Sequence, residues 1–111
     1  MEIAVEPRGD GAVVRLTGRL DLLVAAEVRQ ALARAVADGR RRMVVDLGDV
    51  SFVDSSGLGA LISGLKAARQ AGGDLRIARP SEQARMILQL TTLDRVLKPY
   101  ASVEEAAADA P

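Results

Sequence analysis

The sequence contains no cysteine and no histidine. Without cysteine there is no disulfide framework, zinc–thiolate centre or cysteine nucleophile. Without histidine there is no Ser-His-Asp triad, HExxH zinc motif or imidazole general base. Aromatic residues are almost absent as well, because Phe52 and Tyr100 stand alone and there is no Trp. That scarcity disfavours an aromatic cage, a base-stacking platform and an aromatic-anchored interface. A charge imbalance is also lacking: 15 Lys and Arg offset 15 Asp and Glu. Neither a nucleic-acid binder nor a polyanionic tail is implied, and the short run Arg40-Arg41-Arg42 reads as a solvated end. No apolar stretch approaches the roughly 20 residues of a membrane span. Met1-Glu2-Ile3 opens without the basic and apolar segments of a signal peptide. The expectation is a cytoplasmic protein with no direct contact to nucleic acid and no membrane insertion.

What is present is a chain of 111 residues, 49% hydrophobic and 27% charged, sized for one domain. The apolar residues are mainly Ala, Leu and Val. Residues 3–18 read as a β-hairpin about a turn at Pro7, Gly9, Asp10 and Gly11. Asp21 is placed to cap a helix running to about residue 38, with Val24, Val28, Ala31, Leu32 and Ala35 as its apolar stripe. Met43 to Leu47 forms a short strand of a parallel or mixed sheet, and Gly48 to Val53 a crossing segment after it. A second helix continues to about Ala71, with Leu58, Leu61, Ile62 and Leu65 as its stripe. Leu75 to Ala78 is a strand; Ser81 caps a helix over Glu82 to Leu90, interrupted by Thr91 and Thr92. Arg95 to Tyr100 is a weak edge strand, shortened by Pro99. Ser102, with Glu105 three positions on, opens a terminal helix, and fraying is expected after residue 107. The alternation predicts one α/β domain, a mixed central sheet flanked by about four helices.

One stretch carries specific chemistry. Asp54-Ser55-Ser56 stands where a strand-like segment becomes a helix. The first N–H groups of a helix lack intrahelical acceptors, so Ser55 or Ser56 can serve as a cap. The same N–H groups and the positive end of the helix dipole also suit a phosphate, which adds about −1.5 to −2 charges. Asp54 is open to three readings: a cap or turn acceptor, a group orienting a seryl hydroxyl toward an external kinase, or a solvated acid. Beyond it, Gly57, Ala60, Gly64, Ala67 and Ala71 share one sector of the helix. Interior glycine costs about 1 kcal/mol relative to alanine, so this low surface serves either close intramolecular packing or the approach of a partner. Gly57-Leu58-Gly59 begins like a nucleotide fingerprint, but Ile62 stands where its third glycine belongs, and no GxxxxGK[ST] occurs.

Val50 to Gly59, above all Asp54-Ser55-Ser56-Gly57-Leu58-Gly59, resembles the signature of STAS domains, most closely the small bacterial anti-sigma factor antagonists. Leu16 to Asp21 resembles the family's second strand and first-helix start. Val44 to Leu47 resembles its central strand, and Ser102 to Ala106 its final helix. Lys98 and Pro99 depart from the more continuous apolar last strand of the family.

The resemblance implies a single STAS domain over residues 1–111 that works as a protein-binding switch and not as an enzyme. The unmodified form is expected to bind an anti-sigma factor that is a GHKL-type serine kinase, releasing the sigma factor. That kinase is expected to phosphorylate Ser55, with Ser56 as the neighbouring alternative, and so end binding; a PP2C-type phosphatase resets the switch. No cofactor is implied, and ATP enters only as the kinase's substrate. The implied partner-binding region comprises Asp21, Asp54, Ser55, Ser56, Gly57, Leu58, Gly59, Ala60 and Gly64. An alternative within the family is an interaction subunit of a stress-signalling assembly or lipid-transport permease, without sigma control.

Overall fold

The computed structural model describes residues 1–108. Strands β1 (Glu2–Arg8) and β2 (Gly11–Leu20) form the expected hairpin, paired antiparallel from Glu2↔Thr17 to Arg8↔Gly11. Helix α1 (Ala25–Ala37), strand β3 (Arg42–Val53), helix α2 (Ser55–Gln70) and strand β4 (Asp74–Ala78) follow. Helix α3 (Glu82–Leu90), a 3₁₀ turn (Leu93–Arg95), strand β5 (Pro99–Tyr100) and helix α4 (Val103–Ala108) complete the chain. The sheet order is β1-β2-β3-β4-β5, with every pair after the hairpin parallel.

Two faces of this sheet are covered unequally. Val14, Leu16, Val45 and Leu47 point to one face and pack with Val28, Leu32, Leu58, Leu61, Leu65 and Leu88 of α1, α2 and α3. The alternate residues Val13, Val44 and Ala78 meet Val103 and Ala106 of α4 on the other. Met43 to Leu47 are therefore buried without alternation, as in a parallel sheet covered on both sides. Past Asp46 the cover thins: Gly48, Asp49 and Ser51 are exposed while Val50 and Val53 remain buried. Removing each fully buried leucine from water contributes about 1.5–3 kcal/mol, so the larger layer dominates the fold's stability.

Three boundaries differ from the sequence expectations. Helix α1 begins four residues after Asp21, because residues 21–24 form a turn closed by Val24 N–H donating to Asp21 O. Strand β3 runs through the expected crossing segment to Val53, held there by β2, with Leu20 opposite Val53. The last strand shrinks to Pro99–Tyr100, since the 3₁₀ turn takes Leu93–Arg95. Ala107 and Ala108 are helical; the rest of the segment expected to fray after residue 107, residues 109–111, lies outside the described residues. Ser81 and Ser102 do cap α3 and α4, accepting from Ala84 N–H and Glu105 N–H at 3.1 Å each. The arginine run braces the hairpin: Arg40 donates to Gly9 O, and Arg41 and Arg42 flank Asp10.

Candidate functional site

The site lies where the long strand ends and α2 begins. Asp54 is the N-cap of α2: its backbone is extended, and its Oδ1 accepts from Gly57 N–H at 2.8 Å. Its other oxygen, Oδ2, accepts from Leu22 N–H at 3.1 Å. Its own N–H donates to Leu20 O at 3.2 Å. One residue thus ties the helix start to the end of β2 and to the turn after it. The reading in which Ser55 or Ser56 caps the helix is corrected: these are its first two residues, inside the helix. The aspartate, with its extended backbone, holds the cap position instead.

The consequence is a serine released from structural duty. Ser55 is exposed and Ser56 partly so. The cap has taken Gly57 N–H, and Leu58 N–H reaches Asp54 O at 3.0 Å. The N–H groups of Ser55 and Ser56 have no intrahelical acceptor, by the geometry of a helix start. A group carrying negative charge on Ser55 would meet two amide donors and the positive end of the dipole. It would also stand beside the Asp54 carboxylate, which makes no ion pair among the described residues.

Asp21 comes to the same end of the molecule. Its Oδ1 accepts from Leu23 N–H at 3.1 Å and its Oδ2 from Arg19 Nε at 3.4 Å. The turn so held presents two leucines that fell outside the helical stripe: Leu22 is 71% and Leu23 91% exposed. Arg19 also lies over the Phe52 ring, 4.4 Å from its centroid. A bulge in the β2–β3 register beside Gly18, at φ +118°, precedes this corner.

Of the low surface of α2, Gly57, Ala60 and Gly64 face inward, so close packing and not partner approach is their role, whereas Ala67 is half-buried and Ala71 exposed. The inward-facing three are buried, as is Leu58. A Cβ on Gly57 would collide with Leu20 O, and one on Gly64 would sit 2.6 Å from Leu32 Cδ1. The glycines let α2 approach the end of β2 and the body of α1. Gly59 alone of the signature's glycines is exposed, with open space where a Cβ would go.

A second polar group was not anticipated. Gln83, on α3, accepts Val53 N–H through Oε1 at 2.9 Å and donates from Nε2 to Val53 O at 2.7 Å. Nothing in its local sequence distinguishes it from a solvated helix residue. Also unanticipated is buried Asp46, which accepts from Arg79 Nε and Nη2 at 2.9 and 2.8 Å and from Gly48 N–H at 3.0 Å. Burial alone would raise its carboxyl, but the Arg79 bonds, the Gly48 N–H and the charges of Arg79 and Arg15 outweigh it. Its pKa is held below the usual value. Cavities of about 410 and 290 Å³ lie beside α4, lined in part by Arg79, Ser102 and Glu104 and by Arg76 and Ala106, respectively. Neither is lined by Ser55. No helix among the described residues is long and apolar enough to cross a membrane.

Comparison with known proteins places these features in a family. An anti-sigma factor antagonist of Thermotoga maritima is 35% identical over 68 residues, 61% of this chain and 60% of that protein. The chain therefore matches less than two thirds of that relative's length. The anti-sigma-B factor antagonist of Staphylococcus aureus is 34% identical over 80 residues, 72% of this chain and 74% of that one. Among solved structures, the anti-sigma factor antagonist SpoIIAA in its unphosphorylated form superposes with a TM-score of 0.80 at 25% identity, covering 95% and 92% of the two chains. The Bacillus cell fate determinant SpoIIAA in its phosphorylated form gives 0.72 at 25%, covering 95% and 96%. The family model of the STAS domain matches residues 2–106, the whole sheet, α1 to α3 and most of α4, and the chain belongs to the STAS domain family.

Proposed function

We propose that this chain is an anti-sigma factor antagonist that works as a phosphorylation-controlled binding switch and has no catalytic activity of its own. Unmodified, it binds an anti-sigma factor of the GHKL serine-kinase type, in the cytoplasm, and so frees a sigma factor. That kinase transfers phosphate from ATP to Ser55 and the complex separates. A PP2C-type phosphatase restores the hydroxyl. The antagonist names of the relatives support the role, and a relative solved both with and without phosphate supports the switch.

The observation that carries the reading is the exposed Ser55 hydroxyl beside a cap that Asp54 alone supplies. Adding phosphate there leaves the cap bond in place, so the fold survives while the surface changes. A formally neutral chain becomes negative by about two charges at one spot. The two amide donors offset that charge only in part and Asp54 opposes it, so a closely docked partner would have to bury the remainder unpaired. The exposed Leu22-Leu23 turn, tied to Asp54, supplies apolar contact area next to the switch. Asp21 holds that turn, and Gly59 is the part of the signature helix still open to a partner; Gly57, Leu58, Ala60 and Gly64 act from within, by setting how closely α2 approaches β2 and α1.

The test is capture of the kinase partner by wild-type, Ser55→Ala and Ser55→Asp forms and by wild-type protein phosphorylated with that kinase, its site localised by mass spectrometry. Ser55→Ala should bind within about twofold of wild type and accept no phosphate on Ser55. The phosphorylated form should bind at least about tenfold more weakly, equivalent to ~1.4 kcal/mol; Ser55→Asp, with less charge, should fall between. Equal affinity of phosphorylated and unmodified protein would refute the switch.

A further inference from the structure

We propose that Gln83 is a positioning residue for the switch: its carboxamide holds the last residue of β3 in the geometry that presents the Ser55 hydroxyl. The proposal rests on the reading of Ser55 as the phosphorylation site.

The long strand is flanked on both sides only along its first half. Its register with β4 stops at Asp46↔Ala78, whereas its register with β2 continues to Leu20↔Val53. From Gly48 onward β3 therefore runs toward Ser55 beyond the end of its β4 ladder. Segments with few fixed backbone bonds open locally at low cost. Gln83 closes this edge at its final residue, bonding both the N–H and the C=O of Val53. A side-chain amide thus substitutes for the backbone amide of a missing neighbouring strand. The assignment of its oxygen and nitrogen is fixed by the pairing, because the reverse would set donor against donor and acceptor against acceptor.

Gln83 can hold the strand because its own helix is anchored separately. Ser81 caps α3, and Ala84 and Leu88 are buried against the larger core layer. Val53 is fully buried, Asp54 follows it as the cap, and Ser55 comes next. The serine is therefore gripped from two directions: Asp54 fixes the helix side, and Gln83 fixes the strand side. Phosphoryl transfer demands an acceptor oxygen in line with the leaving group, and a displacement of about 1 Å can cost ~10²-fold in rate. Being neutral, the carboxamide supplies this grip without adding charge beside the place where phosphate is introduced.

The experiment uses the full chain as wild type, Gln83→Ala and Gln83→Glu. The glutamate still accepts Val53 N–H but sets an acceptor against Val53 O and adds charge, so it tests the donor half of the clamp. Two readouts are needed: amide hydrogen exchange at residues 53–55, and separate kcat and KM for phosphate transfer from ATP to Ser55 by the purified serine kinase that binds the chain. In Gln83→Ala, exchange at Val53 should quicken at least about tenfold and kcat should fall about 10- to 100-fold, with KM within about twofold. Gln83→Glu should also exchange faster at Val53 and accept phosphate more slowly than wild type, and wild-type behaviour of it overturns the proposal. A residue that merely supported α3 would quicken exchange within α3 and leave transfer untouched; that result overturns the proposal. So does unchanged exchange at residues 53–55. If wild-type Ser55 stays unmodified by an active kinase that binds it, the switch reading falls and this proposal with it. If Ser55 is modified equally fast in wild type and Gln83→Ala, the proposal alone falls.

Discussion

Asp46 and Asp54 lie on one stretch of chain, the first inside β3 and the second just past its end, and they are held in opposite ways. Asp46 is buried under α4's face of the sheet and answered by charge: Arg79 donates twice to it and Arg15 stands 3.6 Å away. Among the described residues Asp54 is answered only by dipoles, the N–H groups of Gly57 and Leu22. A carboxylate met by guanidinium groups is a fixed brace, since its charge is already matched. One met by amides keeps its negative field, and an added anion beside it is repelled. The same residue type thus gives rigidity at one place and sensitivity to charge at another, and the partners decide which.

Breaking the brace should have the largest effect. Asp46→Ala removes the acceptor of Arg79, whose backbone sits in the left-handed region at φ +54°, and of Gly48 N–H. The expected loss is about 2–3 kcal/mol in urea denaturation, below the ~3–5 of a fully buried pair because the guanidinium is half in water. The pH dependence sharpens the contrast. The folded pKa of Asp46 lies below its unfolded value, so its contribution is complete above the ordinary carboxylate range. It is lost as pH falls through the lowered folded value. The stability gap between wild type and Asp46→Asn should accordingly be constant near neutrality and shrink in acid. A gap that grows on acidification would contradict the brace.

Next in size is Gly57→Ala. The added methyl meets Leu20 O, a backbone atom, and cannot be relieved by rotating a side chain. Forcing a methyl into such packing costs about 1–3 kcal/mol. Because Leu20 O also accepts Asp54 N–H, the shift falls on the capped corner itself. Gly59→Ala, with open space around its Cβ, is the control and should be neutral or slightly stabilising. Equal melting temperatures for the two variants would show that α2 does not depend on close contact with β2.

Most of the frame was legible in the sequence, and the reasons it failed elsewhere are physical. Hairpin, helices and the short fourth strand follow from periodicity and from Ser81 and Ser102 as caps, all local signals. The length of β3 does not, because Gly48 to Val53 lacks an apolar run; β2 makes it a strand by pairing. The choice among Asp54, Ser55 and Ser56 for the cap depends on which backbone is extended, and three good capping residues in a row give no local preference. The inward direction of Gly57 and Gly64 depends on where α1 and β2 lie. Gln83 and the Asp46–Arg79 pair join positions 30 and 33 residues apart, so no local pattern marks them.

The smallest expected effect separates the two jobs of Asp54. Asparagine caps helices about as well as aspartate, so Asp54→Asn can keep the bond from Gly57 N–H through its Oδ1. Its other end is an amide donor, and it then faces Leu22 N–H, donor against donor. The helix start should survive while Leu22 N–H loses its acceptor, leaving the turn held by Asp21 alone. The cost is that of one partly exposed hydrogen bond, about 1 kcal/mol. Amide exchange reads the split directly: Leu22 should exchange faster and Gly57 should not change. Should both amides quicken together, cap and turn are one cooperative unit, and Asp54 is a brace like Asp46 built with weaker partners. If only Leu22 responds, the carboxylate couples the exposed leucines to the serine beside it, so that charge placed on Ser55 is felt at the turn without unwinding the helix.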